Sequence, residues 1–282
     1  MTVDVRLTVI HVECGTQTDR SDRHDHMISI PTASWAHHVG DVLAWSGAFL
    51  AGAWLYRRYP EAVRRLGRQT EPSYFVQLAV GGVIGAWLFG SLNSLRSEIP
   101  TISHSIAGAL AGGIAAVEWW KWRRGIRAST GTPFVIPIVV GIAIGRWGCL
   151  FAGLDDGTFG SPTNLPWAVD LGDGIGRHPV QIYESAAMLL FLLVYLAALR
   201  AGRAWPLKIG FHVLIMVYAA QRFVWEFFKP YPPVWGVFNS FHFLMLGFVG
   251  YGICWIVRET RAKPLRAESV AVPLSQPDDE PV

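Results

Sequence analysis

The sequence predicts an all-α, polytopic membrane protein of seven transmembrane helices, with its N-terminus outside and its C-terminus inside. Three observations carry this. The first is composition: of 282 residues, 51% are apolar and only 16% charged, where a soluble domain carries roughly 25% charged residues. Mean hydropathy is +0.31. The second is spacing: apolar runs at 39–56, 74–92, 103–120, 133–153, 181–199, 209–228 and 237–257 each approach the ~20 residues that a helix needs to span a bilayer. The third is the alternation of basic residues between them. The first link holds Arg57, Arg58, Arg64, Arg65 and Arg68, the third Lys121, Arg123, Arg124 and Arg127, the fifth Arg200, Arg203 and Lys208, and the tail Arg258, Arg261, Lys263 and Arg266. The second, fourth and sixth links hold one each, Arg96, Arg177 and Lys229. The rich links are then cytoplasmic.

This divides the chain into an N-terminal arm (1–38) expected to be flexible, a seven-helix membrane domain (39–257) and a cytoplasmic tail (258–282) expected to be disordered. The arm lacks a basic leader followed by a short apolar core, so it does not read as a cleaved signal peptide. Its 19–26 segment, DRSDRHDH, is the one stretch with a metal-binding look, and it reads better as a solvated arm. Thirteen Trp and 29 Gly fit a polytopic protein, in which Gly permits close helix packing and Trp sits at interfaces. The formal charge of +3 is too small to argue for nucleic acid. Cys14, Cys149 and Cys254 have neither metal nor disulfide spacing, and the latter two read as reduced and structural. No metal or cofactor is expected.

The span directions bring polar residues to one level. Arg146 lies about 20 Å into a core about 30 Å thick, toward the outside. Arg222 and Glu226 fall in the last two turns of an outward-running span, four apart and so on one face. Gln181 and Glu184 sit at the outer start of the fifth span, His104 at that of the third, Asn239 and His242 at that of the seventh. Asp41 is at that of the first, with Trp45 a turn further in. Taken singly, Asp41, Asn239 and His242 read as interfacial anchors, His212 as a packed histidine near the inner end, and Glu118 as paired with Lys121 or solvated. Arg146 and Arg222 together ask for more. Even on a lenient scale a charge at mid-bilayer costs about 2.5–3.5 kcal/mol, and two planar forks at one depth suit a phosphate or carboxylate. An outward-facing intramembrane anion site suggests a phospholipid headgroup.

The stretch from Gly145 to Glu184 resembles the prolipoprotein diacylglyceryl transferase family. It carries Gly145-Arg146-Trp147-Gly148, Ala152-Gly153, Gly160-Ser161-Pro162-Thr163, Pro166-Trp167 and His178-Pro179-Val180-Gln181-Ile182-Tyr183-Glu184. Arg222-Phe223-Val224-Trp225-Glu226-Phe227-Phe228 and the glycine-rich Ala107–Gly113 run match two further family motifs. The resemblance implies a bacterial inner-membrane enzyme with its site toward the periplasm. It would move the diacylglyceryl group of phosphatidylglycerol, or a similar anionic phospholipid, to a cysteine thiol at the signal-peptide segment of a prolipoprotein. It implies a catalytic set of Arg146, Arg222, Glu226 and His104, and substrate binding by Arg146, Gly153, His178, Gln181, Glu184 and Arg222, with His178, Gln181 and Glu184 shaping the outer rim. The sequence departs from the family at Ala107, where a histidine is expected, at Cys149 for an asparagine, at Leu154 for a glutamate, and at Trp45 near a tyrosine. His104, one helical turn before Ala107 on roughly the same face, is the substitute base. Two alternatives stand beside the transferase: a paralogue that passes a phospholipid-derived group to another acceptor, and a phospholipid-binding membrane protein without catalysis.

Overall fold

A computed structural model describes residues 27–94 and 103–268. Cys14, the 19–26 segment and Arg96 lie outside the described residues. Among the described residues eight α-helices carry the architecture: α1 (Ala36–Arg58), α2 (Pro60–Gln69), α3 (Pro72–Ser94), α4 (Ile106–Arg123), α5 (Val135–Ala152), α6 (Val180–Arg200), α7 (Trp205–Glu226) and α8 (Ser240–Glu268). Each of the seven apolar runs lies largely on one of the long helices. Five of these, α3, α5 with its flanking turns, α6, α7 and α8, are long and apolar enough to cross a membrane. In α1, Asp41, Ser46 and the Gly and Trp residues lower the hydropathy, and α4 carries Glu118, Lys121 and Arg123 within 18 residues. The chain is a multi-pass helical membrane protein.

Helix α2 was hidden in the first basic link. Pro60 opens it and Glu61 occupies its first turn, both favourable at a helix N-terminus. Arg64 and Arg68 pair with Glu61 at 3.1 and 3.2 Å, and Leu66 is buried against Tyr74, Val117 and Trp120.

The long helices pack in pairs, α1 on α5 and α3 on α4, with α6, α7 and α8 closing the bundle. Small residues set the first two contacts. A Cβ on Gly40 would strike the backbone of Gly148, and one on Gly85 the backbone of Gly108. Only glycines permit backbones that close, and close approach is how helices gain contact in lipid, where no hydrophobic drive holds them together. The core between α5, α6, α7 and α8 is apolar and tightly filled, with Val139, Ile142, Met188, Leu214, Ile215 and Met245 at its centre.

The end of the bundle that carries the polar residues is capped by the loop between α5 and α6. A 3-10 turn (Gly153–Asp156) follows α5, then two short strands, β2 (Val169–Asp170) and β3 (Gly176–Arg177), pair antiparallel. Preceding α1, β1 (Ile28–Ser29) adds in parallel to β2. Residues 27–35 of the N-terminal arm therefore lie on this cap: Ala33 N–H donates to the Phe151 carbonyl at 2.8 Å. The loop is pinned from within. Asp170 Oδ1 accepts the N–H groups of Gly172, Asp173 and Gly174 at 2.9, 3.1 and 2.9 Å. Arg177 forks onto Asp173 at 2.6 and 2.7 Å, and this hydrogen-bonded fork holds the Asp173 carboxyl below its ordinary range.

Candidate functional site

One buried polar network ties four elements together, and Glu184 is its hub. The Glu184 carboxylate, at the start of α6, receives Arg222 Nη1 at 3.1 Å and Lys229 Nζ at 2.8 Å, and Arg146 Nε from α5 packs against its other oxygen. Arg222 Nε reaches Glu226 Oε2, one turn on in α7, at 3.0 Å. Glu226 Oε1 in turn accepts from Asn239 Nδ2 at 3.1 Å. Asn239 caps α8: its Oδ1 accepts from the Phe241 N–H at 3.0 Å, and its own N–H donates to His242 Nδ1 at 3.1 Å. Arg146, Glu184, Arg222, Glu226 and Lys229 are all nearly inaccessible to solvent.

The two guanidiniums that the sequence placed at one depth thus converge on a single point. Three cations against two carboxylates leave one positive charge over, in a site walled from water. An unbalanced buried charge is costly, and the arrangement is best completed by one more anion. Further donors wait nearby without partners among the described residues: Gln181 Nε2 and Tyr218 Oη are buried and make no hydrogen bond. Burial and the Arg222 charge push the Lys229 ammonium down to about 8. Burial pushes the Tyr231 hydroxyl up.

Other expected site residues fall elsewhere. Glu184 is not at a rim: it is buried at the centre, because α6 enters the bundle at Val180 and the next turn already faces Arg146 and Arg222. Gln181 is buried beside it. His178 does remain on the cap, its ring 4.7 Å from that of Phe228 and 6.4 Å from that of Tyr183, with burial lowering its proton affinity. Gly153 ends α5 at φ 72°, and a Cβ there would collide with Thr32, so its part is to let the chain turn under the cap. His104 is not one helical turn before Ala107. The helix begins after it, with Ser105 as N-cap accepting the Gly108 N–H at 3.3 Å. His104 is exposed and its ring lies 5.9 Å from that of His37 and 6.0 Å from that of Trp87. Ala107 is buried with nothing polar to offer. Trp45 is 78% exposed on the outer face of α1 and takes no part in the network.

Lys229 and Asn239 join the network without having been singled out for it. Lys229 had a signal: with Arg222 and Glu226 it completes an i, i+4, i+7 stripe, although the helix relaxes into turns after Glu226. At the opposite end of the bundle, Lys121 pairs with Glu118 at 2.9 Å, and His212 stacks on Trp255 at 4.6 Å.

A helical bundle with membrane-length spans and, buried at one end, a cluster of two arginines and one lysine on two glutamates defines the class: a multi-pass membrane protein with a net-cationic buried centre. A family model for prolipoprotein diacylglyceryl transferase matches residues 42–258. The chain belongs to that family. It is 33% identical over 172 residues to the phosphatidylglycerol–prolipoprotein diacylglyceryl transferase of Azoarcus sp. (strain BH72), covering 57% of this chain and 63% of that protein. It is 32% identical over 195 residues to the protein of the same name from Synechococcus elongatus, covering 60% and 66%. It is 30% identical over 215 residues to that of Nitratidesulfovibrio vulgaris, covering 71% and 78%. The match thus spans just under two thirds of the length of the first two relatives. No solved structure matches the chain significantly.

Proposed function

We propose that the chain moves the diacylglyceryl group of phosphatidylglycerol to a cysteine thiol of a lipoprotein precursor, at the periplasmic side of the bacterial inner membrane. In this reading seven helices span the bilayer, N-terminus outside and C-terminus inside, with the capped end toward the periplasm. The observation that carries it is the convergence of Arg146 and Arg222 on one point with a positive charge left over. A phosphodiester brings the missing negative charge. As the C–O bond to phosphate breaks, charge builds on the leaving oxygen, and fixed guanidinium donors in a water-poor site stabilise it more than they stabilise the intact lipid. Glu226 positions Arg222 through its Nε, and Glu184 holds both forks before substrate arrives.

The lipid has a place to lie. An apolar groove of about 560 Å³ runs between α1, α5 and α6, lined by Val39, Leu43, Ile144, Trp147, Phe151 and Leu189. Its lining includes Ser185, next in α6 to Glu184, so a lipid in the groove would lie against the helix that carries the hub of the network. A second reading, phospholipid binding without transfer, draws on Ala107, an apolar side chain buried where the family carries a histidine.

Complementation separates the two. In a bacterial strain depleted of its own transferase, this chain should restore diacylated lipoproteins, and native mass spectrometry should find phosphatidylglycerol bound. Binding without restoration would establish the second reading. Arg146→Lys keeps the charge but loses the fork, and should lower turnover by at least about 100-fold, the scale of losing an electrostatic donor. Wild-type turnover in that variant would remove Arg146 from the mechanism.

A further inference from the structure

We propose that His37, Cys149 and Asp156 form a zinc site whose open fourth position takes the acceptor thiol and holds it as a thiolate beside Arg146. The thiol part rests on the transferase function proposed above; the metal part does not. The three residues come from different elements: the first turn of α1, the last turn of α5 and the 3-10 turn after it. The Gly40–Gly148 crossing brings them together, since His37 lies one turn from Gly40 and Cys149 is next to Gly148. One ligand atom from each lies within 4.8 Å of the others. His37 Nδ1 and Asp156 Oδ1 are 2.7 Å apart, and need to separate to only about 3.3 Å around a tetrahedral zinc with ~2.0 Å bonds.

The chemistry of the set favours zinc. A thiolate and an imidazole discriminate against magnesium and calcium, and the cytochrome-like or iron–sulfur alternatives need other ligand sets. One thiolate, one carboxylate and a neutral imidazole make the zinc complex neutral, which suits a site of low dielectric. The supporting contacts are in place. His37 Nε2 lies 3.4 Å from Asp41 Oδ2, the carboxylate–histidine–metal arrangement that fixes a ligating ring. Thr158 Oγ1 donates to the other oxygen of Asp156. Cys149 is buried and unpaired by any disulfide. Three protein ligands leave the fourth position to a substrate, as in catalytic zinc sites.

Such a site answers the loss of the family's histidine. A thiol bound to zinc gives up its proton outright, so no side-chain base is required in place of Ala107. The proton goes to water at the half-exposed His37 edge. The bound sulfur then forms its S–C bond at the glyceryl carbon, the C–O bond to phosphate breaks, and the electron pair leaves on the phosphate oxygen, with no change in oxidation state. Arg146 serves both halves, since its Nη1 lies 3.9 Å from Cys149 Sγ while its Nε faces Glu184. Cys149 is not itself the nucleophile: its own thioether would be a poor leaving group, and the enzyme would stop after one alkylation.

The test uses the full chain purified in detergent with phospholipid. Zinc is measured by elemental analysis, and cobalt(II) is substituted to read the thiolate-to-metal charge-transfer absorption. One metal per chain is expected, with that absorption abolished in Cys149→Ser. Affinity should fall by at least about 10-fold in His37→Gln and Asp156→Asn, and by about 10-fold in Asp41→Asn. The partly exposed His37 variant keeps the measurement available if Cys149→Ser does not fold. A cysteine peptide should intensify the absorption as a second thiolate binds. A wild-type chain that retains no zinc and gives no thiolate–cobalt absorption overturns the metal site, and absorption unmoved by the peptide overturns the thiol position. Diacylglyceryl transfer that survives complete metal removal also overturns the proposal and leaves the transferase function standing. Zinc and peptide binding by a chain that transfers nothing supports the site and removes the transferase function.

Discussion

The residues of the buried charged network do not stabilise equally, and their charges say what each substitution does. Among the described residues, Glu184 is the only carboxylate that three cations share. Glu184→Gln keeps the shape and leaves those cations facing one another, a buried imbalance that costs about 3–5 kcal/mol. A marked fall in melting temperature in detergent is expected, partly reversed by added phosphatidylglycerol, and a variant as stable as the parent would show that the network is not taut. Lys229 gives the pH dependence. Its ammonium is held near 8 against an ordinary 10.5, so as pH rises through 8 the site loses its surplus positive charge and, on the proposed function, its hold on an anionic lipid. Over the same range the unfolded chain keeps the proton that the folded chain has lost, so this group's contribution to stability rises with pH. Binding of phosphatidylglycerol, measured on either side of pH 8, should weaken on the alkaline side. In Lys229→Met it should be weaker at neutral pH by about 10-fold, the equivalent of 1.4 kcal/mol, and no longer vary across that range.

At the scale of elements, the helix pairs decide whether the site exists. Arg146 is held where it is because α5 lies against α1 at Gly40 and Gly148, and His37 and Cys149 flank that same crossing. Gly148→Leu drives a side chain into the Gly40 backbone. Overpacking of a tight contact costs typically about 1–3 kcal/mol, and α1 moves away to relieve it. The variant should lose thermal stability and the proposed transferase activity together, whereas Gly250→Leu, where a Cβ meets nothing within 4 Å, should change neither. The long helices were legible because hydropathy is a property of consecutive residues. Helix α2 was not, since its amphipathic period, with Val63 and Leu66 on one face, is only ten residues long and lies among the arginines that mark the link. The strands β1, β2 and β3 are two residues each, too short to pattern, and exist only because the arm and the loop meet.

At the scale of the molecule, the basic links predict direction. Ile175, on the cap, and Arg203, in the turn between α6 and α7, are both exposed and lie on opposite sides of the proposed bilayer. In a background with Cys14 and the exposed Cys254 replaced by serine, Ile175→Cys in intact cells should react with a membrane-impermeant maleimide added outside, and Arg203→Cys only after the membrane is opened. The reverse pattern would invert the topology and move the site to the cytoplasm.

The linear chain determined what depends on neighbours in sequence: the apolar runs, the alternation of charge, the Arg222–Glu226 stripe, and the ordered motif that places the chain in its family. Those signals are local because helices in lipid satisfy their own backbones, one segment at a time. Only the tertiary structure decided what depends on which ends meet. It drew Glu184 from the rim to the hub, brought Lys229 and Asn239 into the network, left His104 outside its helix, and set His37, Cys149 and Asp156 within reach of one ion. The reason is physical: charges in hydrocarbon need partners, and those partners come from whichever helix termini the glycine contacts bring together, over separations that no sequence spacing records.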